Sequence, residues 1–142
     1  MFELARRYIK TGFIFFIAGL LLGLYMIVNR YIFGNWPPPL LITAHTHVLL
    51  FGFIISLIMG VAIWMFPRSR DEQDYSPKLA EVTYWFLTLG TAIRFMGEVI
   101  SAYMAVKIFV WLVVLGSVSQ VAAGFLFIYN MWSRVRPVGK QT

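Results

Sequence analysis

The chain has 142 residues, of which 60% are hydrophobic, 18% aromatic and only 13% charged, with a formal net charge of +6 and a mean hydropathy of +0.76. Soluble domains are nearer half apolar and about a quarter charged, so this composition excludes a disordered chain and makes lipid the natural solvent for most of the surface. The positive charge marks no nucleic-acid face, because the Lys and Arg residues fall between long apolar runs, and the absence of Cys excludes disulfides, iron–sulfur clusters, thiolate-bound zinc and Cys-ligated haem.

The runs divide into four expected spans. The start, with Arg6, Arg7 and Lys10 before an apolar run, imitates a signal peptide, but the run continues to Phe33 without a small-residue cleavage signal, so a retained span is expected over about 10–33. Pro37, Pro38 and Pro39 break it, and proline is tolerated in the first turn of the next helix. The second span is expected over about 40–66, closed by Pro67. A polar loop, Arg68–Ser76, follows, and Ser76-Pro77 reads as an N-cap with proline at the first helical position. The third span is expected over about 79–103 and the fourth over about 107–132, ahead of a short basic tail. Each exceeds the ~20 residues that cross ~30 Å of hydrocarbon. Nine of the Lys and Arg residues flanking these spans fall on one side (Arg6, Arg7, Lys10, Arg68, Arg70, Lys78, Arg134, Arg136, Lys140) and two on the other (Arg30, Lys107). The expected fold is therefore an all-α, four-helix transmembrane bundle in a single domain, with both termini cytoplasmic.

At about 100° per residue, small and polar side chains mark a stripe on every span. They are Gly12, Gly19, Gly23, Met26 and Arg30; then His45, Gly52, Ser56 and Gly60; then Gly90, Thr91, Arg94, Gly97, Glu98 and Ser101; then Gly116, Ser117, Gln120, Ala123 and Gly124. The two histidines, two residues apart, point ~200° apart on a helix and cannot clip one metal together. His45 shares the small-residue stripe, whereas His47 lies among Leu50, Phe51, Ile54 and Ile58, a bulky face turned toward lipid or another subunit. Counting ~1.5 Å per residue from the outer ends, His45 and Glu98 lie ~8 Å deep, Met26 ~10 Å, Arg30 ~5 Å and Arg94 ~14 Å. Ionisable groups at such depths are costly. Arg94 and Glu98, four apart, suit each other as partners, and Glu98 alternatively suits a proton carrier. A neutral His45 beside glycines suits an axial haem ligand, with Gly52 leaving room for the macrocycle, Arg30 placed for the propionates and Met26 at a depth for a second axial ligand. Plain packing and hydrogen bonding account for the same residues without a cofactor.

The segment from Ala44 through His45-Thr46-His47-Val48-Leu49-Leu50-Phe51-Gly52-Phe53 to Gly60 and Phe66-Pro67-Arg68 resembles the second helix of haem–copper oxidase subunit I, most nearly the cbb-type oxidases and bacterial nitric oxide reductases. The resemblance covers about 25 residues, and it implies that His45 rather than His47 is an axial ligand of a haem b. Those relatives have about twelve spans, and no histidine follows His47 here. The resemblance thus implies one haem b per chain, with neither a second late-helix His ligand nor a three-histidine copper site.

Three functions follow. The first is a membrane haem-b protein of a prokaryotic inner membrane that binds or converts a diatomic gas, NO or O2, as a homo-oligomer fed by an electron donor. The second is an electron-transfer cytochrome b or an accessory subunit of a larger oxidase. The third is a cofactor-free assembly or transport protein. So thin a bundle does not enclose a haem alone, and a lipid-facing His47 is costly, which places His47 at an expected subunit contact.

Overall fold

The computed structural model describes residues 2–66, 75–104 and 106–135. Four long helices make up nearly all of this: α1 (Phe2–Tyr31), α2 (Pro39–Met65), α3 (Pro77–Ser101) and α4 (Lys107–Met131), the last closed by a 3-10 turn, Trp132–Arg134. No strand occurs among the described residues. Residues 68–74 of the polar loop and the tail residues Arg136 and Lys140 lie outside the described residues.

Helix ends follow local chemistry. Gly34 takes a positive φ of 69°, the left-handed conformation that ends the turn after α1. Pro39 opens α2, where its missing N–H costs nothing. Ser76 Oγ accepts from Leu79 N at 3.2 Å, and Pro77 occupies the first position of α3.

α1 packs along α2, α3 packs along α4, and α2 joins the two hairpins by lying against α3. Glycines set the approach. A Cβ on Gly19 would reach Leu49 of α2, and one on Gly116 would stand 2.6 Å from the Gly90 carbonyl oxygen of α3. Close backbone contact of this kind is how helices associate in lipid. α2 is not a uniform α-helix, because Val48–Ile55 forms a π-helical stretch tied by Ser56 Oγ donating to the Phe51 carbonyl at 3.2 Å.

α1, α2 and α4 with its 3-10 turn are long and apolar enough to cross a membrane. α3 falls short by composition because it carries Lys78, Glu81, Arg94 and Glu98, yet it accompanies α4 along its length. At the Ser76 end, Asn130 exchanges two hydrogen bonds with the Ser76 backbone, at 2.9 and 3.0 Å. Toward the other end, Gly97 lies against Phe109 and Val113. The outer surfaces are apolar, including Ile14, Leu21, Leu24, Trp111, Val118 and Phe125.

The largest apolar core, with Tyr8, Met59, Ile63, Tyr84 and Leu87, lies at the end where α1 begins and α2 finishes. Arg134, 1% exposed, donates to the carbonyls of Ile63 (3.1 Å) and Phe66 and lies over the Tyr75 ring at 4.7 Å. The guanidinium satisfies carbonyls that the end of α2 would otherwise leave without partners. Burial pushes the Tyr75 phenol above its ordinary value, with Arg134 pulling the other way.

Candidate functional site

The two histidines of α2 face different neighbours. His45 turns to α1, where its Nδ1 lies 3.0 Å from the Gly19 carbonyl. A carbonyl only accepts, so Nδ1 carries the hydrogen and Nε2 keeps its lone pair. No described residue bonds to Nε2. Gly23 makes room for the ring, since a Cβ there would stand 2.8 Å from His45 Cε1. In metal-binding histidines a backbone carbonyl commonly fixes the imidazole through the nitrogen that does not touch the metal, and Gly19 is placed to do the same here.

His47 does not face lipid, contrary to the expectation from its bulky neighbours in sequence. Its Nδ1 is 3.0 Å from Glu98 Oε1, and its Nε2 is 2.8 Å from Arg94 NH2. Arginine only donates, so Nε2 accepts and Nδ1 donates to the carboxylate. Both ring nitrogens are spent inside the bundle. The reason is that α2 has neighbours on two sides: the bulky face reads as an outer face only if each helix has one inner face.

Around His47 the charges form one network. Arg94 Nε donates to Glu98 Oε1 at 2.9 Å, and Arg94 NH1 donates to Gln120 Oε1 at 2.9 Å. Gln120 Nε2 in turn donates to Thr91 Oγ1 at 3.0 Å. Glu98 is 1% exposed and Gln120 2%. The Arg94–Glu98 pairing expected from their spacing is present, and Gln120 joins α4 to it. The second carboxylate oxygen, Glu98 Oε2, is buried without a partner among the described residues.

The remaining expected site residues stand apart from His45. Gly52 departs from the expectation that it leaves room for a macrocycle, because Phe15 of α1 fills that space, with its Cγ 2.7 Å from where a Cβ would lie. The exposed Arg30 guanidinium stacks on Trp36, 3.9 Å from the ring centroid. That contact secures the α1–α2 connection. Met26 is half-buried, one turn beyond Gly23 on α1. No cluster of three or more metal-ligating side chains occurs among the described residues. His45 thus offers one nitrogen donor, which would suit a haem iron.

Sequence reasoning missed Tyr8 and Arg134. Tyr8 packs edge-on against Tyr84 at 5.0 Å, and Tyr84 Oη shares a 2.8 Å hydrogen bond with Thr11. The signal for Arg134 was a basic residue at the end of the last span, on the side where the second span ends.

Fold and site define an all-helical membrane protein with one coordination-ready imidazole and a buried charge network. The family model for cytochrome c and quinol oxidase polypeptide I matches residues 3–141, and the chain belongs to that family. It is 29% identical over 109 residues to a nitric oxide reductase subunit of Stutzerimonas stutzeri, an alignment covering 71% of this chain and 22% of that relative. The match thus spans about a fifth of that relative's length. No solved structure matches it.

Proposed function

We propose that this chain is a four-span haem-b protein of the inner membrane, with both termini cytoplasmic, that binds or converts a diatomic gas at a haem held by His45. One observation carries the reading: of the two histidines, His45 alone keeps a ring nitrogen without a partner among the described residues, while its other nitrogen is fixed by the Gly19 carbonyl. A haem bound there supplies an iron that takes NO or O2 as a ligand. His45 holds the group, Gly23 admits the ring and Gly19 orients it. Met26, one turn beyond Gly23 on α1, would offer the group a second donor. Glu98 supplies the carboxylate that pairs with Arg94 and His47.

Membership in a family of cytochrome c and quinol oxidases supports the haem, and the similarity to a nitric oxide reductase supports NO as the first gas to try. A second reading, an electron-transfer or accessory subunit of a larger oxidase, draws on the short coverage of the relative. In either case the open face beside His45 is closed by other protein, and we take the simplest cover to be further copies of this chain.

The test is optical. Protein expressed with ample haem should show a Soret band that shifts when the reduced form meets CO or NO. His45→Ala should lose the band, while His47→Ala should keep it. A six-coordinate spectrum indifferent to CO selects the electron-transfer reading, and a colourless, correctly folded protein refutes haem binding.

A further inference from the structure

The inner face of α3 carries a polar residue every three or four positions: Tyr84, Thr88, Thr91, Arg94, Glu98 and Ser101. At 1.5 Å per residue this line runs ~25 Å, most of a hydrocarbon layer. Its middle is continuous, from Glu98 through Arg94 and Gln120 to Thr91. At the Tyr84 end, the Thr11–Tyr84 hydrogen bond continues it onto α1 beside Tyr8.

Three gaps interrupt it: between Ser101 and Glu98, between Thr91 and Thr88, and between Thr88 and the Tyr84–Tyr8 pair. Four side-chain polar atoms are buried without a partner among the described residues, namely Tyr8 Oη, Thr88 Oγ1, Glu98 Oε2 and Ser101 Oγ. All four belong to residues on this line or, for Tyr8, to a residue packed against it. Ser101 and Glu98 are neighbours along the line at the first gap, Thr88 comes between the second and third, and the Tyr8 ring packs on Tyr84 beyond the third. Orphaned buried groups are uncommon, and ordered water is their usual partner.

We infer that the line holds ordered water at these three gaps, and that the Arg94 guanidinium is an electrostatic plug that keeps this hydrated path from conducting protons across the membrane. A file of water and hydroxyls is a good proton conductor, whereas a fixed cation on the path repels an entering hydrated proton. Arg94 occupies that position. It is tied on three sides, to Glu98, His47 and Gln120, so it does not swing aside. The inference needs no haem and stands apart from the reading of His45.

The full chain reconstituted into liposomes with a pH-sensitive dye and a potassium diffusion potential tests it. Wild-type vesicles should be as proton-tight as empty ones. Arg94→Gln/Glu98→Gln removes the cation and its counter-charge together while keeping side-chain shape, and should raise proton flux at least tenfold. Adding Thr88→Val should abolish that leak, and Arg94→Lys alone should stay tight. A double variant that folds and remains tight overturns the plug. X-ray hydroxyl-radical footprinting on the wild type tests the water separately. Tyr8, 1% exposed, should be oxidised within tenfold of the rate of exposed Tyr129 because bound water generates the radical beside it. A Tyr8 as unreactive as buried Leu87 refutes the water file.

Discussion

Replacing Glu98 by Gln isolates the worth of one buried negative charge. The amide keeps the shape, and its carbonyl can still accept from Arg94 Nε and His47 Nδ1, which now lie 2.9 and 3.0 Å from Glu98 Oε1. The atom that becomes NH2 replaces Oε2, which had no partner. Only the charge changes, so Arg94 is left as a cation with neutral neighbours. Removing one member of a buried ion pair costs ~3–5 kcal/mol. Arg94 keeps its bonds to Gln120 and His47, and its side chain is 16% exposed, so the low end applies. The expected loss is about 3 kcal/mol, roughly a hundredfold in the folded-to-unfolded ratio. A neutral hydrogen bond between membrane helices is worth only ~0.6 kcal/mol on average, so lost hydrogen bonding would not account for it. Reversible unfolding in mixed micelles, followed by circular dichroism, reads the loss. The variant Arg94→Gln/Glu98→Gln, neutral throughout, should recover to within about 1 kcal/mol of wild type. If Glu98→Gln costs less than about 0.5 kcal/mol, or the double variant is as weak as the single, the network is not held by charge.

Other outcomes follow from packing. Gly116→Ala places a methyl 2.6 Å from the Gly90 carbonyl oxygen, so α3 and α4 must separate, and the same unfolding measurement should show a loss of about 2 kcal/mol. Gly124→Ala, with nothing within 4 Å, should be neutral or stabilise by up to about 1 kcal/mol through helix propensity. Arg134→Met strips the donors from the Ile63 and Phe66 carbonyls and should cost about 2 kcal/mol, with faster proteolysis at the end of α2.

Much of this architecture was legible in the sequence. Apolar runs gave four helices with ends within a turn or two of those expected, apart from α1, which begins at Phe2 because its first turns pack through Ala5 and Tyr8. Stripes of small residues named the contacts correctly: Gly19 and Gly23 meet α2, and Gly90, Gly97 and Gly116 bring α3 to α4. Gly124 did not follow, since nothing approaches it. The pattern failed at His47. A wheel drawn for one helix has one inner face, and only the arrangement of four helices shows that α2 is flanked on two sides. Arg30 was also beyond reach, because its stacking on Trp36 depends on how the connection folds back.

The wide turns of α2 between Val48 and Ile55 have a further bearing on those histidines. A π stretch accommodates roughly one more residue than an α-helix of the same rise. Winding the same residues as ordinary α-helix would give that extra residue its own place, about 1.5 Å further along the axis and about 100° further round, and everything before it would swing with it. His45 would leave the Gly19 carbonyl and His47 would leave Glu98 in the same movement. The apparent irregularity thus works as a fixed angular offset: the first half of the rod meets one neighbour with each imidazole while the second half keeps its own seat against the first helix.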